Sequence, residues 1–399
     1  MPRGNASGGG SKEERDATLP MTPEEAGFGA AVHEAEEGDE PRFFENPKRI
    51  AQTLIIAIVA VGAIYFAFPQ IVGVEDGIKR IGQGDPWWIA LAFAFSLLMF
   101  ASYVALFRGV IGAEVTLRWR ESYEITMASL AATRLFSAGG AGGIVLTYWA
   151  LRKAGMSPKN TAARMVAFNV LLYAVYMLTL LINGILLRAG VFSGKAPAGM
   201  TVVPAVIAGV VIAIFLLITL VPGDLEKRFS KGSRESFWGR MMRRLATVPS
   251  TLAVGTREAL SFIRQPSRGG LAVGGAIGFW AAQIAIVAAA FKAFDVDASL
   301  AVIVQGFFVG MFANLLPLPG GVGGVDAGMI GAYVLLGLPG SSVFAAVLVY
   351  RFFAFWLPLV PGIVAFFQLR RTVRRWEENP ASPPVGNDTA ESLPGAITS

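Results

Sequence analysis

The chain alternates long apolar stretches with shorter polar ones, a pattern typical of proteins that cross a membrane several times. A helix needs about 20 mostly apolar residues to span a bilayer core of about 30 Å. Six stretches reach this length and predict full spans at residues 50–72, 87–107, 160–187, 201–221, 271–294 and 341–369. The sequence lacks the alternating strands of about ten residues that would indicate a membrane barrel. We therefore predict an all-α integral membrane fold.

Two further apolar stretches, residues 122–153 and 299–336, are interrupted by glycine. Proline ends an incoming helix and glycine permits a tight turn. Each stretch is therefore expected to form a broken or re-entrant helical hairpin. The interruptions consist of Gly139, Gly140, Gly142 and Gly143 in the first stretch, and of Pro317, Pro319, Gly320, Gly321, Gly323 and Gly324 in the second. In the last span, Pro358 and Pro361 are expected to kink the helix.

The remaining segments are polar and divide the chain into three parts. Residues 1–47 are acidic and rich in glycine and serine, which predicts a disordered cytoplasmic tail rather than a signal peptide. Residues 48–375 form the membrane domain, and residues 376–399 form a second disordered tail. Within the domain, residues 223–270 predict a basic cytoplasmic loop with short amphipathic pieces around 237–245.

Composition supports a membrane protein and narrows its chemistry. Hydrophobic residues make up 54% of the chain and charged residues only 16%, against about 25% charged in soluble domains. Subtracting both tails from the totals of 28 acidic and 34 basic residues leaves 13 and 30, so the membrane domain carries a net charge near +17. This surplus fits contact with anionic lipids. Nucleic-acid binding is not expected, because no compact basic domain presents the charge.

The distribution of basic residues predicts the orientation of the hairpins. If each interrupted segment returns to its starting side, the ten Lys and Arg residues of 223–270 and the four arginines of 370–375 all lie inside. A full crossing by either segment would move one of these groups outside, against the positive-inside tendency. We therefore predict six full spans, two opposed hairpins, and both termini on the cytoplasmic side of the cell membrane.

Opposed hairpins make the two halves of the domain look like copies of one unit. Residues 87–188 and 271–369 both read as span, hairpin, span, and the two glycine clusters lie 181 residues apart. Inverted repeats with broken helices are a recurrent transporter architecture, in which the substrate site lies near the membrane midplane where the breaks meet. We predict such a repeat here.

Candidate binding residues lie at these breaks. The half-helix after each glycine cluster points free N–H groups into the break, which suits a phosphate or carboxylate. Ionisable groups at membrane depth are costly and mark function by default. The predicted substrate-binding residues are Arg134, Gly139, Gly140, Gly142, Gly143, Asn314, Gly320, Gly321, Gly323, Gly324, Asp326 and Arg351.

Two structural alternatives remain open. The glycines could serve only close helix packing, and Asp326 and Arg351 could form an ion pair that only fixes the second hairpin to the last helix. Arg164 is expected near the cytoplasmic interface with its charge extended towards water. No cofactor and no metal are expected, because the chain has no cysteine and its single histidine, His33, lies in the N-terminal tail.

The motif from Asn314 to Asp326, followed by Tyr350 and Arg351, resembles the flippase-like transmembrane domain of lysylphosphatidylglycerol synthases. The resemblance covers about residues 50–370 and implies movement of a charged lipid or lipid-linked sugar between leaflets. The family often has Glu where this chain has Asp326, and often has Pro where the first break reads Phe-Ser-Ala at 136–138. The soluble aminoacyl-transfer domain of the complete synthases has no counterpart in this sequence, so lysyl transfer is not expected.

These observations favour a lipid translocator of an anionic or zwitterionic phospholipid or a lipid-linked sugar, without covalent chemistry. One alternative is an accessory or regulatory subunit that binds an enzyme of lipid or cell-envelope glycan biosynthesis. Another is a transferase acting on lipid carriers, which would need an acid–base or metal centre. The expected partners are membrane lipids and such an enzyme, and the sequence does not define an oligomeric state.

Overall fold

The computed structural model describes residues 82–112, 114–135, 141–220, 237–315 and 323–378. Within these ranges the chain is helical and contains no strand, as predicted for an all-α membrane protein. The helices in chain order are α1 (Pro86–Ile111), α2 (Trp119–Leu135), α3 (Ala141–Lys153), α4 (Pro158–Arg188), α5 (Ala198–Ile218), α6 (Phe237–Arg264), α7 (Pro266–Ala293), α8 (Leu300–Met311), α9 (Gly324–Leu335), α10 (Gly340–Arg351) and α11 (Leu359–Glu378). A 3₁₀ turn, Phe312–Leu315, follows α8, and a π-helical turn, Phe352–Trp356, follows α10.

Five segments of the described chain are long and apolar enough to cross a membrane. They are α1, α4, α5, α7 and the run from α10 through α11, and they correspond to five of the six predicted spans. The predicted span at 50–72 and the predicted tail at 1–47 lie outside the described residues. The predicted second tail begins three residues too early, because α11 continues through Trp376 to Glu378.

Both interrupted segments form two helices, and the two arms of each hairpin pack against each other. The arms are α2 and α3 in the first hairpin and α8 and α9 in the second. The turns themselves, residues 136–140 and 316–322, lie outside the described residues. Both arms of the second hairpin are apolar, whereas α2 carries Arg120, Glu121, Glu124 and Arg134. The first hairpin is therefore more polar than the sequence interpretation assumed.

The first helices of the two halves, α1 and α7, run against each other over their length and form the largest helix–helix contact described. Glycine permits this approach. A methyl group on Gly109 would lie 2.4 Å from the backbone nitrogen of Ala272, and one on Gly275 would lie 2.3 Å from that of Leu106. Small residues serve the same purpose in other membrane helix pairs, where lipid supplies no hydrophobic drive for association.

Other contacts exchange elements between the halves. The first arm α2 of one hairpin packs on the last helix α11 of the other half, and the first arm α8 packs on α4. This is the pairing that two copies related by a twofold axis would make. The inverted repeat predicted from the sequence, 87–188 and 271–369, agrees with these contacts, and its axis in the membrane plane stays a prediction.

The polar segment between the halves differs from its prediction. Short amphipathic pieces were expected around residues 237–245, but a single 28-residue helix, α6, runs from Phe237 to Arg264. Its buried positions Ala253, Thr256, Ala259 and Phe262 recur every three residues and face α4 and α7. This spacing lines one face of a helix, but the basic residues elsewhere in the segment lower its average hydrophobicity and conceal the pattern.

Candidate functional site

A buried ion pair joins the second hairpin to the final span. The Nε atom of Arg351, the last residue of α10, lies 2.8 Å from Oδ1 of Asp326, and both side chains are less than 10% exposed. Oδ2 of Asp326 accepts a hydrogen bond of 2.8 Å from the backbone amide of Gly323. Gly323 has a positive φ of 78°, a conformation that favours glycine. The ion pair considered in the sequence analysis is thus present, and it fixes the start of α9.

Arg134, in the last turn of α2, reaches the same region from the first hairpin. Its Nη1 and Nη2 donate hydrogen bonds of 2.8 Å each to the carbonyl oxygens of Phe355 and Ala354. In a regular helix the carbonyl of Ala354 would accept from residue 358, but Pro358 has no N–H to donate. The proline and the π-helical turn therefore leave a carbonyl inside the domain that Arg134 satisfies.

The two arginines share one aromatic ring. The guanidinium carbons of Arg134 and Arg351 lie 5.1 Å and 4.7 Å from the centre of the Phe355 ring. Cations stack favourably on aromatic faces, but these two also repel each other. With Asp326 as the counter-charge paired to Arg351, the cluster holds two positive groups and one negative group. Such a cluster favours an additional anion.

Polar residues that the sequence analysis missed complete the cluster. The hydroxyl of Tyr350 donates a hydrogen bond of 2.8 Å to Oε1 of Gln283 on α7. Tyr350 interacts electrostatically with Asp326 and with both arginines, and Tyr103 on α1 interacts with Arg134 and Tyr173. Gln283 lies between apolar residues of α7, and Tyr103 follows Ser102 in α1. A polar side chain at membrane depth was the signal that could have identified them.

The predicted glycines fall into two groups. Gly139, Gly140, Gly320 and Gly321 lie outside the described residues, as does the side chain of Asn314, whose backbone belongs to the 3₁₀ turn. A methyl group on Gly143 would lie 2.0 Å from Oγ1 of Thr133 and 2.4 Å from the carbonyl oxygen of Ser129. Gly143 therefore permits the close packing of α2 on α3, as in the alternative that the glycines serve helix packing. Gly142 and Gly324 lie in the first turns of α3 and α9.

Arg164 has a structural environment rather than a free interfacial position. It is 8% exposed, lies 3.1 Å from Glu114 and 3.5 Å from Glu258, and donates to the carbonyl of Val110. This network ties the end of α1 to α4 and α6. Burial raises the pKa of the Glu258 carboxyl above its ordinary value, and the charge of Arg164 opposes that shift.

An apolar groove of about 760 Å³ lies between α3, α4, α5 and α6. Its lining includes Ile144, directly after Gly142 and Gly143, and Tyr173. Tyr173 lies within electrostatic range of Tyr103, and Tyr103 lies within electrostatic range of Arg134. A buried charged cluster and an apolar groove in one domain suit an amphipathic ligand.

Comparison with known proteins agrees with this architecture. A family model described as the lysylphosphatidylglycerol synthase TM region matches residues 51–362. Two proteins from Methanothermobacter thermautotrophicus, each described as a UPF0104 membrane protein, are similar over most of their length. One is 24% identical over 330 residues, covering 78% of this chain and 93% of the relative. The other is 20% identical over 373 residues, covering 82% and 96%.

Proposed function

This chain belongs to the family of the lysylphosphatidylglycerol synthase transmembrane region, and we propose that it moves a phosphate-bearing lipid between membrane leaflets. Membership in the family makes it a multi-pass membrane protein and suggests a role in lipid-related processes. The proposed substrates are anionic or zwitterionic phospholipids and lipid-linked sugars, whose head groups share a phosphate. In this proposal the protein resides in the cell membrane with both termini in the cytoplasm.

One observation carries the proposal: two arginines from different halves of the domain stack on the Phe355 ring. Charged groups inside a membrane domain are costly and are retained where an ion or head group must pass. Arg134 comes from the first hairpin and Arg351 from the last span, so motion of one half against the other changes their separation. A phosphate placed between the two arginines would relieve their repulsion when the two halves bring them together.

The apolar groove supports a lipid rather than a soluble anion. Its walls are almost wholly apolar along α4 and α5, which suits an acyl chain, and its lining residue Ile144 closely follows the first hairpin break in the sequence. A lipid could then place its phosphate between Arg134 and Arg351 while its tails stay in apolar surroundings. With its phosphate in the charged site and its tails in apolar surroundings, the lipid avoids the free-energy cost of moving a bare head group through hydrocarbon.

The proposed mechanism is a rocking of the two halves about the α1–α7 contact. In transporters with inverted repeats, such motion exposes one central site to each side in turn. The carbonyls of Ala354 and Phe355 accept hydrogen bonds from Arg134, and an arriving phosphate would compete for the same donors. An enzyme of lipid or cell-envelope biosynthesis would supply the substrate in one leaflet.

Transport in proteoliposomes tests this function. A tail-labelled phosphatidylglycerol is placed in both leaflets, and its movement is followed with a quencher confined to the outside. We expect the wild-type protein to accelerate movement above protein-free vesicles, and Arg134→Gln to lower the protein-dependent rate at least tenfold. Lys292→Gln, which removes an exposed charge whose nearest acidic partner is 3.8 Å away, is the matched control and should keep the wild-type rate. Equal rates for wild type and Arg134→Gln would overturn the proposed site, and no acceleration of any phosphate-bearing lipid would overturn the function.

A further inference from the structure

A second basic cluster lies far from the charged site, where the N-terminal end of α2 meets the C-terminal part of α11. It forms an open pocket of about 520 Å³ lined by Arg120, Gln368, Arg371, Arg374, Arg375 and Glu378. Fourteen residues of α2 separate Arg120 from Arg134, which at 1.5 Å per residue places the pocket about 21 Å from the first site along the helix axis. The two clusters are therefore separate.

Two of the pocket arginines are held in place by a buried carboxylate. Glu124 is fully buried and accepts hydrogen bonds from Nε of Arg120 at 2.8 Å and from the hydroxyl of Thr372 at 2.6 Å. That hydroxyl accepts in turn from Arg375 at 2.7 Å. Because a buried charge is tolerated only with such partners, Glu124 fixes the two guanidiniums at the rim of the pocket.

The other two arginines, Arg371 and Arg374, are exposed. Within the part of the chain that the structure describes, neither has an acidic side chain within ion-pair distance. Positions 371, 374 and 375 share one face of α11, where like charges repel one another. The pocket thus holds four guanidiniums against Glu378 and the already paired Glu124. Arginine forks bind phosphate oxygens in pairs, so a phosphate is the anion that this arrangement fits best.

The position of the pocket indicates that the phosphate belongs to a lipid. The arginines follow directly on the apolar part of α11, whose Phe366, Leu369 and Val373 are buried in the domain. Side chains at the end of a membrane span lie at the level of the lipid head groups, and basic pockets there bind anionic lipids. We propose that Arg120, Arg371, Arg374 and Arg375 form a docking site for the phosphate head group of an anionic membrane lipid, separate from the site at Arg134 and Arg351.

Lipid binding to the purified full-length protein tests this proposal without any transport measurement. Native mass spectrometry would compare the occupancy of phosphatidic acid and of phosphatidylcholine on the wild type and on Arg371→Gln/Arg374→Gln. The matched control is Arg264→Gln/Arg268→Gln, which removes two exposed arginines at the junction of α6 and α7. We expect the pocket variant to lose one bound phosphatidic acid relative to the wild type, with the affinity for that lipid at least tenfold weaker, and the control to stay within twofold of the wild type. Phosphatidylcholine binding should not change in either variant.

Three outcomes would overturn the docking site. Equal losses in both double variants would mean that total charge, not the pocket, attracts the lipid. Equal loss of phosphatidylcholine would mean that the pocket does not select an anionic lipid. Strong binding of inorganic pyrophosphate in this pocket without binding of phosphatidic acid would identify a soluble anion instead. Failure of the translocation proposal and failure of this one are distinguishable, because translocation is tested by transport with Arg134→Gln and the docking site by lipid binding to Arg371→Gln/Arg374→Gln.

Discussion

At the scale of single residues, Asp326 serves two partners with one carboxylate. One oxygen accepts from the Gly323 amide at the start of α9, and the other pairs with Arg351. Removing one member of a buried pair strands the other charge, whereas removing both relieves the cost. The pair is therefore expected to matter more as a unit than as two separate side chains.

We predict strong coupling between Asp326 and Arg351 in a double-mutant cycle. Asp326→Asn and Arg351→Gln should each lower the free energy of unfolding by about 3–5 kcal/mol, the range for breaking a buried pair. The double variant should lose less than the sum, with a coupling of about 1–3 kcal/mol. Denaturant unfolding in mixed micelles measures all three, and additive losses would contradict the pairing.

The sequence identifies the charged members of the site but not their arrangement. Arg134, Asp326 and Arg351 stand out because an ionisable side chain at membrane depth is costly. Both arginines stack on Phe355 because the π-helical turn orients this ring towards them. The spacing of residues in the sequence does not indicate that orientation. The glycine positions were ambiguous for a similar reason, since Gly143 turns out to pack α2 on α3 whether or not a ligand binds nearby.

At the scale of elements, the crossing of α1 and α7 depends on which glycine faces the partner helix. Gly275 faces the backbone of Leu106, whereas Gly274, one residue earlier, has no atom within 4 Å of an added methyl group. Gly275→Ala should therefore lower the free energy of unfolding by about 1–3 kcal/mol through overpacking. Gly274→Ala is the control and should leave it nearly unchanged. A similar effect of both substitutions on the unfolding midpoint would show that the crossing is not as close as described.

The break in the final span depends on Pro358. Pro358→Ala supplies the amide that the carbonyl of Ala354 lacks, so the helix can close its hydrogen bond and Arg134 loses an acceptor. We expect stability to be kept or raised, since an interior proline costs about 3 kcal/mol, while lipid transport falls several-fold. Pro204→Ala, at a proline inside α5, should leave transport unchanged. Transport by Pro358→Ala at the wild-type rate would show that the irregular turn is not needed for transport.

Element boundaries were predictable where apolar residues run continuously and failed where charges interrupt them. Proline at the first position and the caps Asp85 and Ser157 mark the starts of α1 and α4 within a few residues of the predicted spans. The helix α6 was missed because its average hydrophobicity is low, since arginines lie in its first two turns, at position 257 and at its end. Its place against α4 is set by tertiary contacts such as those of Arg164, which local sequence does not encode.

At the scale of the whole molecule, the direction of the hairpins decides the architecture. The chain has no cysteine, so single cysteines can report sidedness without background. We predict that Thr116→Cys and Lys159→Cys, which flank the first hairpin, react with an impermeant reagent only from the cytoplasmic side. Asp297→Cys and Pro339→Cys, which flank the second, should react only from the opposite side. Labelling of the two members of either pair from different sides would mean that this segment crosses the membrane.

We propose that the site between Arg134 and Arg351 recognises the phosphate of a lipid as it passes between leaflets. The most direct test compares two lipids with identical tails in the same proteoliposomes, phosphatidylglycerol and a glycosyl diacylglycerol that carries no phosphate. We predict that the wild-type protein accelerates phosphatidylglycerol at least tenfold more than the uncharged lipid. Equal acceleration of both lipids would contradict the account, because the two arginines would then play no part in selecting what is moved.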